Sequence, residues 1–401
     1  MFDAVIVGAG FSGAVLAERL ASQLHQKVLV LDKRNHIGGN AYDFVNRHGI
    51  RISQYGAHLF HTRRQDVWEY CQDFAHWTPW EHRVLARIPA SAAPLNQPQD
   101  AIYAPLPICL GTFQSLNLAH TIPQMTDYLH RETQDYQQKE IKTSQDVALS
   151  RVGSHLYELF FRHYTIKQWA KEPYQLAPSV LQRIPLRLNQ DDRYFTDPYQ
   201  ALPTHGYTAF FDRLLSQPGI TVRTGTDYFS EDHCLKGIQS VFFTGAIDRY
   251  YAFAGLPKLE YRSIRFESEE CVLDDPGEYV LPASVVNEPS AEVPYTRTVE
   301  HKRFLNQRGW VSTLTREYTT CEGEPYYPVP NEKNQRLYEK YREMARGESA
   351  SQRRNVVFLG RLAGYKYMNM DEAIGNALDV FRDYARGEFG GRGFPRREEG
   401  R

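Results

Sequence analysis

Five cysteines in 401 residues (Cys71, Cys109, Cys234, Cys271 and Cys321), none in a C-x-x-C pair, exclude a disulfide scaffold and a structural zinc site. Reduced thiols in a cytoplasmic protein fit this scatter, and no metal is expected. No stretch approaches the ~20 continuous apolar residues of a membrane span, and no basic segment precedes the opening strand, so the chain reads as soluble and unprocessed. Neither charge sign dominates. Lys plus Arg number 47 and Asp plus Glu 48, so no global field draws the chain to nucleic acid or anionic lipid. Any anion must be held by local groups. No internal repeat is present.

Apolar material is ample: 42% of the residues are hydrophobic, enough for two or three domain-sized units with a large site between them. The 26 tyrosines often stand beside Arg, Asp or Pro, which suits a polar pocket wall, although packing accounts for most of them singly. At the N-terminus, "DAVIVGAGFSGAVLAERLASQL" reads as a strand over residues 3–7, a glycine turn and a helix to about Leu24. In that turn Gly8 allows the bend, Gly10 lets backbone approach a pyrophosphate, and Gly13 lets helix pack on strand, with Ser12 between them. A second strand, "KVLVLD", ends at Asp32, placed to accept from ribose hydroxyls. The alternative is a purely structural βαβ unit.

Directly after Asp32 comes "KRNHIGGNAYD", in which Arg34 can sit on phosphate and Gly38-Gly39 permits another close backbone approach. This extension is similar to FAD proteins of the glutathione reductase and amine oxidase type, which favours FAD over NAD. Lys33 and Arg34 as solvated surface charge is the other reading. The closing strand-turn-helix, "NVVFLGRLAGYKYMNMDEAIGNAL", looks like part of the same nucleotide layer, so that domain must be discontinuous.

The expected fold is mixed α/β: a discontinuous Rossmann-like FAD-binding domain (1–75, 205–255 and 350–386), an inserted helical domain with a mobile loop (107–180), and an antiparallel β-sheet substrate domain (76–106, 181–204 and 256–349). Within the last, "RSIRFES", "EYVLPASVV" and "WVSTLTREY" read as strands, "PASAAPLNQPQD" as a hairpin excursion, and residues 387–401 as a disordered tail.

Candidate chemistry gathers in four places. "YGAHLFHT" sets His58 and His61 three apart behind a glycine, with no further ligand spacing for a metal; a place against a flavin is open to them, as is an ordinary core or surface role. "HYTIKQWAKEPYQLAPSVLQRIPLRLNQDDRYF" supplies Tyr164, Trp169, Arg183 and Tyr194. "VPYTRTVEHKRF" brings Arg297, and "EPYYPVP" brings Tyr326 and Tyr327. Aromatic faces can sandwich a pyrimidine and arginine forks can pair with a diphosphate, which together would make a nucleotide-sugar site. Spacing alone leaves open that these are separate salt-bridged surfaces.

Taken in order, "VGAGFSGAV", "DKRNHIGGNAYD", "YGAHLFHT", "KQW", "RIPLR", "DDRYF", "VPYTRTVEHKRF", "EPYYPV" and "GRLAGYKYMNM" make the chain resemble the bacterial UDP-galactopyranose mutases from about Val7 to Leu378. The resemblance implies an isomerase that interconverts UDP-galactopyranose and UDP-galactofuranose on reduced FAD, through a flavin N5-galactosyl adduct and iminium, with no net redox change. It implies galactofuranose supply for cell-surface and cell-wall glycans, and a homodimer or higher homo-oligomer. Arg183 and Arg297 would clamp the diphosphate, helped by Tyr194, Tyr327 and Tyr367. Tyr164 would stack on uracil, Trp169 would stand on the mobile loop, and His58 and His61 would face the flavin. His82, Asn287 and Tyr326 would contact substrate. Gly8, Gly10, Ser12, Gly13, Asp32, Lys33, Arg34, Gly39, Asn40, His58, Leu59, Arg361, Asn369 and Met370 would bind FAD, with Asp227 and Tyr228 at the adenine end. Relatives carry Asp where this chain has Asn369. An amine-oxidase-type FAD oxidoreductase and a non-catalytic nucleotide-sugar binder are the competing readings.

Overall fold

A computed structural model describes residues 2–90, 101–182, 185–230, 237–238, 240–351 and 355–387. The proline-rich excursion at 91–100 and the tail from residue 388 onward lie outside these described residues. Five parallel strands run in the spatial order Ile220–Arg223, Val28–Leu31, Ala4–Val7, Ser240–Phe243 and Asn355–Phe358. The four strands after the half-exposed edge strand Ile220–Arg223 are short, largely apolar runs, as in a sheet buried on both faces. Alternate residues point opposite ways: Ile6, Val28, Val30 and Val357 pack with Leu16, Phe210 and Ile374 of three covering helices, Phe11–Leu24, Gly206–Leu215 and Met370–Ala385. Val5, Leu29, Val241 and Val356 face the other side.

That second face is covered by the helix Glu332–Ser351, through Tyr338, Tyr341 and Ala345. The sequence groups this helix with the antiparallel sheet; the structure moves it to the nucleotide layer. The reason is its narrow apolar stripe at three- and four-residue spacing, which completes a face that Tyr228, Ile247 and Tyr251 also cover.

A seven-stranded sheet runs in the order Tyr327–Pro328, Tyr261–Val272, Val311–Thr320, Arg297–Glu300, Val285–Asn287, Val84–Pro89 and Ala101–Leu106. Every pair is antiparallel except Val285–Asn287 with Val84–Pro89. Of the stretch "EYVLPASVV" only the last two residues enter a strand. The residues before them are held by Glu300, which is fully buried and accepts from the amides of Val280 (2.9 Å) and Leu281 (2.8 Å).

The helices between residues 110 and 169 share one core with this sheet: Phe113, Met125, Val147 and Phe160 pack with Ile88, Ile102, Val285 and Val299. A three-stranded sheet, Phe60–Thr62, Tyr199–Pro203 and Trp77–Pro79, bonds chain from both sides of the helical insertion. Among the described residues no helix is long and apolar enough to cross a membrane.

The tightest junction in this scaffold is Gly13, where a β-carbon would lie 1.9 Å from the Gly8 carbonyl oxygen. Gly13→Ala must therefore push the first helix off the first strand, at a cost of ~1–3 kcal/mol for the overpacking. Thermal unfolding should show a lowered Tm and copurified nucleotide should fall; an unchanged melting curve would remove Gly13 from this role.

Candidate functional site

The parallel strands end in a cradle of bare backbone. Gly8 to Gly13 leads into the helix Phe11–Leu24, whose unpaired N–H groups and dipole favour an anion. Asp32, nearly buried, accepts from the Ala9 amide at 2.8 Å and the Arg34 amide at 2.9 Å, fixing the glycine turn against the second strand. Gly38 N–H donates to the Ala9 carbonyl (2.9 Å), and a β-carbon on Gly39 would stand 3.0 Å from Gly10 Cα, so the two glycine turns touch. Gly360 closes the cradle from the last strand: its φ is +84°, and a β-carbon there would lie 2.8 Å from Ser12 Oγ. Asn40 lies in the 3-10 turn between these segments and the strand at Asp43. Space reserved in this way along a helix N-terminus fits a dinucleotide.

Lys33 is exposed and pairs with Glu324 at the surface, as the solvated-charge reading has it, whereas the Arg34 guanidinium is partly covered and lies 4.4 Å over the Tyr55 ring. Thr226 N–H reaches the Asp32 carbonyl at 2.9 Å and brings Asp227 to this end, where it pairs with Arg249. The Tyr228 ring is core, packed with Leu31 and Phe243.

At the opposite end of the cradle Arg361 donates to the Met368 carbonyl and lies over two rings, Tyr327 at 5.6 Å and Tyr367 at 5.2 Å, which stack on each other. Asn369 is the N-cap of the helix that begins at Met370, and its amide N–H donates to Glu372 Oε2 at 2.7 Å. Asparagine caps a helix as well as aspartate does, and Glu372 keeps a carboxylate at this turn. Leu59 sits between His58 and the strand Phe60–Thr62, on which that helix also packs.

Beyond the cradle, Arg297 is the common neighbour. It stands directly across from Asn287 on one strand and Glu317 on the other, and its Nε donates to Glu317 Oε2 at 2.6 Å. Glu317 is 1% exposed, and this carboxylate raises the pKa of Arg297 against the desolvation that lowers it. Arg297 acts electrostatically on Tyr164, Tyr327, His58 and His82; Tyr194 and Glu317 also act on Tyr164, and Tyr367 and Arg361 on Tyr327. His58, Tyr164, Arg297 and Tyr327 each keep part of their surface open although protein surrounds them, as side chains lining an internal space do.

Burial raises the phenol pKa of Tyr164 and Tyr327, so both stay protonated donors. His58 is pushed down to about 4 by burial, with Arg361 and Arg297 acting in the same direction. It is neutral at pH 7, and because Nδ1–H donates to the Gly56 carbonyl (2.9 Å), its Nε2 is the acceptor. His82 is buried, its pKa lowered to about 3 mainly by desolvation, and its Nδ1 has no partner among the described residues. His61 bonds Asp197 at 2.7 Å and stacks on Phe195 at 3.6 Å.

Several sequence expectations sit differently. Trp169 ends the helix His163–Trp169 as a buried core residue, edge-on to Tyr327, rather than on an open loop. Tyr326 turns away from Tyr327 to lie near Arg34 and Tyr55 on the cradle side. Arg183 lies outside the described residues. Sequence reasoning missed Glu317, Asp197 and Tyr55; a lone acid among threonines in "LTREYTT" gave no signal that it pairs with Arg297.

A family model described as UDP-galactopyranose mutase matches residues 159–367, and one described as an NAD(P)-binding Rossmann-like domain matches residues 6–74. The chain is 35% identical over 385 residues to a probable UDP-galactopyranose mutase of Klebsiella pneumoniae, covering 95% of this chain and 94% of that protein. It is 34% identical over 395 residues to a dTDP-fucopyranose mutase of Escherichia coli, covering 96% and 98%. The crystal structure of a reduced UDP-galactopyranose mutase shares the fold, with a TM-score of 0.72 at 17% identity over 96% of each chain. With the cradle, the Arg297 centre and near full-length similarity in agreement, the chain belongs to the UDP-galactopyranose mutase family.

Proposed function

We propose that the chain interconverts UDP-galactopyranose and UDP-galactofuranose on reduced FAD in the cytoplasm. The observation that carries this reading is Arg297, held by Glu317 between Tyr164 and Tyr327, with Tyr194 and Tyr367 next to those two, beside a dinucleotide cradle. A diphosphate needs that charge, whereas a neutral amine substrate does not, which separates this reading from the oxidoreductase one.

Reduced FAD, when bound, supplies the nucleophile that displaces UDP from the anomeric carbon. Gly8 to Gly13, Asp32, Gly39 and Arg361 would hold it. Arg297 then meets the charge that develops on departing UDP, in a site where water is scarce and the charge is already oriented. Tyr164, Tyr194, Tyr327 and Tyr367 line the same space; the protonated phenols of Tyr164 and Tyr327 donate without adding negative charge. Neutral His58 offers an acceptor at Nε2 and no competing cation.

A second reading rests on the dTDP-fucopyranose mutase, nearly as similar as the UDP-galactose relative. It keeps the chemistry and changes the nucleotide and sugar. Assaying both substrates with separation of pyranose and furanose isomers decides between them by kcat/KM.

Dithionite-reduced protein should isomerise UDP-galactofuranose while oxidised protein does not; equal activity in both states would end the flavin-nucleophile reading. Arg297→Ala should lose ~10²–10³-fold in kcat with the flavin spectrum retained, the size seen when one transition-state charge donor is removed. Glu317→Gln should lose less in kcat, because the arginine remains, but should also lower Tm, since the buried guanidinium loses its counter-charge.

His58, His82 and His301 share one acid-side consequence. Their pKa values, lowered to about 4, about 3 and about 4 chiefly by burial, lie below the 6.5 of an open chain. Between these values the unfolded chain binds more protons than the native one. Stability is therefore full above pH 6.5 and falls as pH drops toward 4, with a slope of ~2–3 protons. Urea midpoints at pH 7 and pH 5 check this; a flat profile would place these rings in water.

A further inference from the structure

Lys167 belongs to the "KQW" segment but has no part in the chemistry above. It lies on the helix His163–Trp169, three residues after Tyr164 and so on the same side of it. Its Nζ donates to the carbonyls of Ser290, Val293 and Tyr295, each at 2.9 Å, and to that of Glu288. An ammonium group has three N–H bonds, so four carbonyls share them. All four belong to the loop 288–295, which joins Asn287 at the end of one strand to Arg297 at the start of the next. The Glu288 carboxylate is buried nearby, and Lys167 and Arg87 are its electrostatic neighbours.

The backbone of the same helix end is fixed to the opposite side of the hairpin. The Lys167 carbonyl accepts from Thr319 Oγ1 and from Arg262 Nη2 (3.4 Å), and the Gln168 carbonyl accepts from Arg262 Nε at 2.9 Å. These are carbonyls that a helix terminus leaves unpaired, met by a guanidinium where the dipole favours a cation. Thr319 lies two residues beyond Glu317, on the strand that supplies the partner of Arg297. The helix bearing Tyr164 is thus tied on one side to the loop before Arg297 and on the other to the strand of Glu317.

We propose that Lys167 is a positioning residue for nucleotide-sugar binding: its ammonium group gathers the loop 288–295 and sets Asn287 and Arg297 in register with Tyr164. This rests on the mutase reading, since it assigns Tyr164 to the base and Arg297 to the diphosphate. Lys167 itself touches neither.

The test uses FAD-loaded enzyme carrying Lys167→Met or Lys167→Arg. Hydrogen exchange over residues 288–296 is measured without substrate, UDP affinity by calorimetry on the oxidised form, and KM and kcat on the reduced form. Lys167→Met should speed exchange across the loop and weaken UDP binding and raise KM by about tenfold, with kcat within about threefold of wild type, the pattern of lost binding common to ground and transition states. Lys167→Arg, which keeps a cation with several donors, should recover part of both effects. Unchanged exchange and UDP affinity in Lys167→Met would overturn the proposal, as would a fall in kcat at constant KM. Should Lys167→Met not fold, Lys167→Arg read against wild type in the same three measurements decides it. Wild-type enzyme that binds no UDP defeats the UDP-galactose reading, while the exchange data still report whether Lys167 orders the loop.

Discussion

The cross-strand pair of Arg297 and Glu317 is the interaction on which the site depends. A guanidinium surrounded by protein is costly to desolvate, and here a carboxylate 2.6 Å away on the neighbouring strand offsets that cost. Because the two residues are opposite one another in the sheet register, the ladder hydrogen bonds that hold the strands also hold the charge. Slipping the register by one residue would turn Arg297 to the other face and leave Glu317 buried alone. The charged pair is therefore built into the sheet by its register.

What surrounds this pair is arranged to keep its charge undiluted. The phenols of Tyr164 and Tyr327 are held protonated and the imidazoles of His58 and His82 neutral, each chiefly by burial. Arg297 reinforces the state of both histidines, since a cation disfavours a second one nearby. The result, among the described residues, is a wall of neutral donors and acceptors around Arg297 with Arg361 close by, which suits an anionic group more than a base or a metal.

The two sheets meet through side chains that belong to both layers. Lys33 beside the glycine cradle pairs with Glu324 beside Tyr326, and Arg361 joins the last parallel strand to the Tyr327–Tyr367 stack. The glycine cradle and the Arg297 cluster thus lie near each other because the turn Gly360–Ala363, which follows the last parallel strand, packs on the edge strand Tyr327–Pro328 of the larger sheet. The C-terminal ends of such strands are where ligands bind in open α/β sheets.

Much of the nucleotide layer was legible in the sequence, because its determinants are local. The glycine turn, the helix from Phe11, the strand into Asp32 and the late strand before Gly360 each announce themselves within about ten residues. The helix Glu332–Ser351 was misplaced for the opposite reason: its stripe of Tyr338, Tyr341 and Ala345 says that it packs, not on which sheet. Likewise Arg297, the tyrosines and His58 could be picked out by type, but Glu317 and Asp197 could not, since their partners lie 20 and 136 residues away. The sequence by itself determined which side chains can hold a dinucleotide and a diphosphate. Only the tertiary structure decided that they share one space, because strand register and helix docking, which carry no local signal, bring Arg297, Glu317, Tyr164 and His58 together.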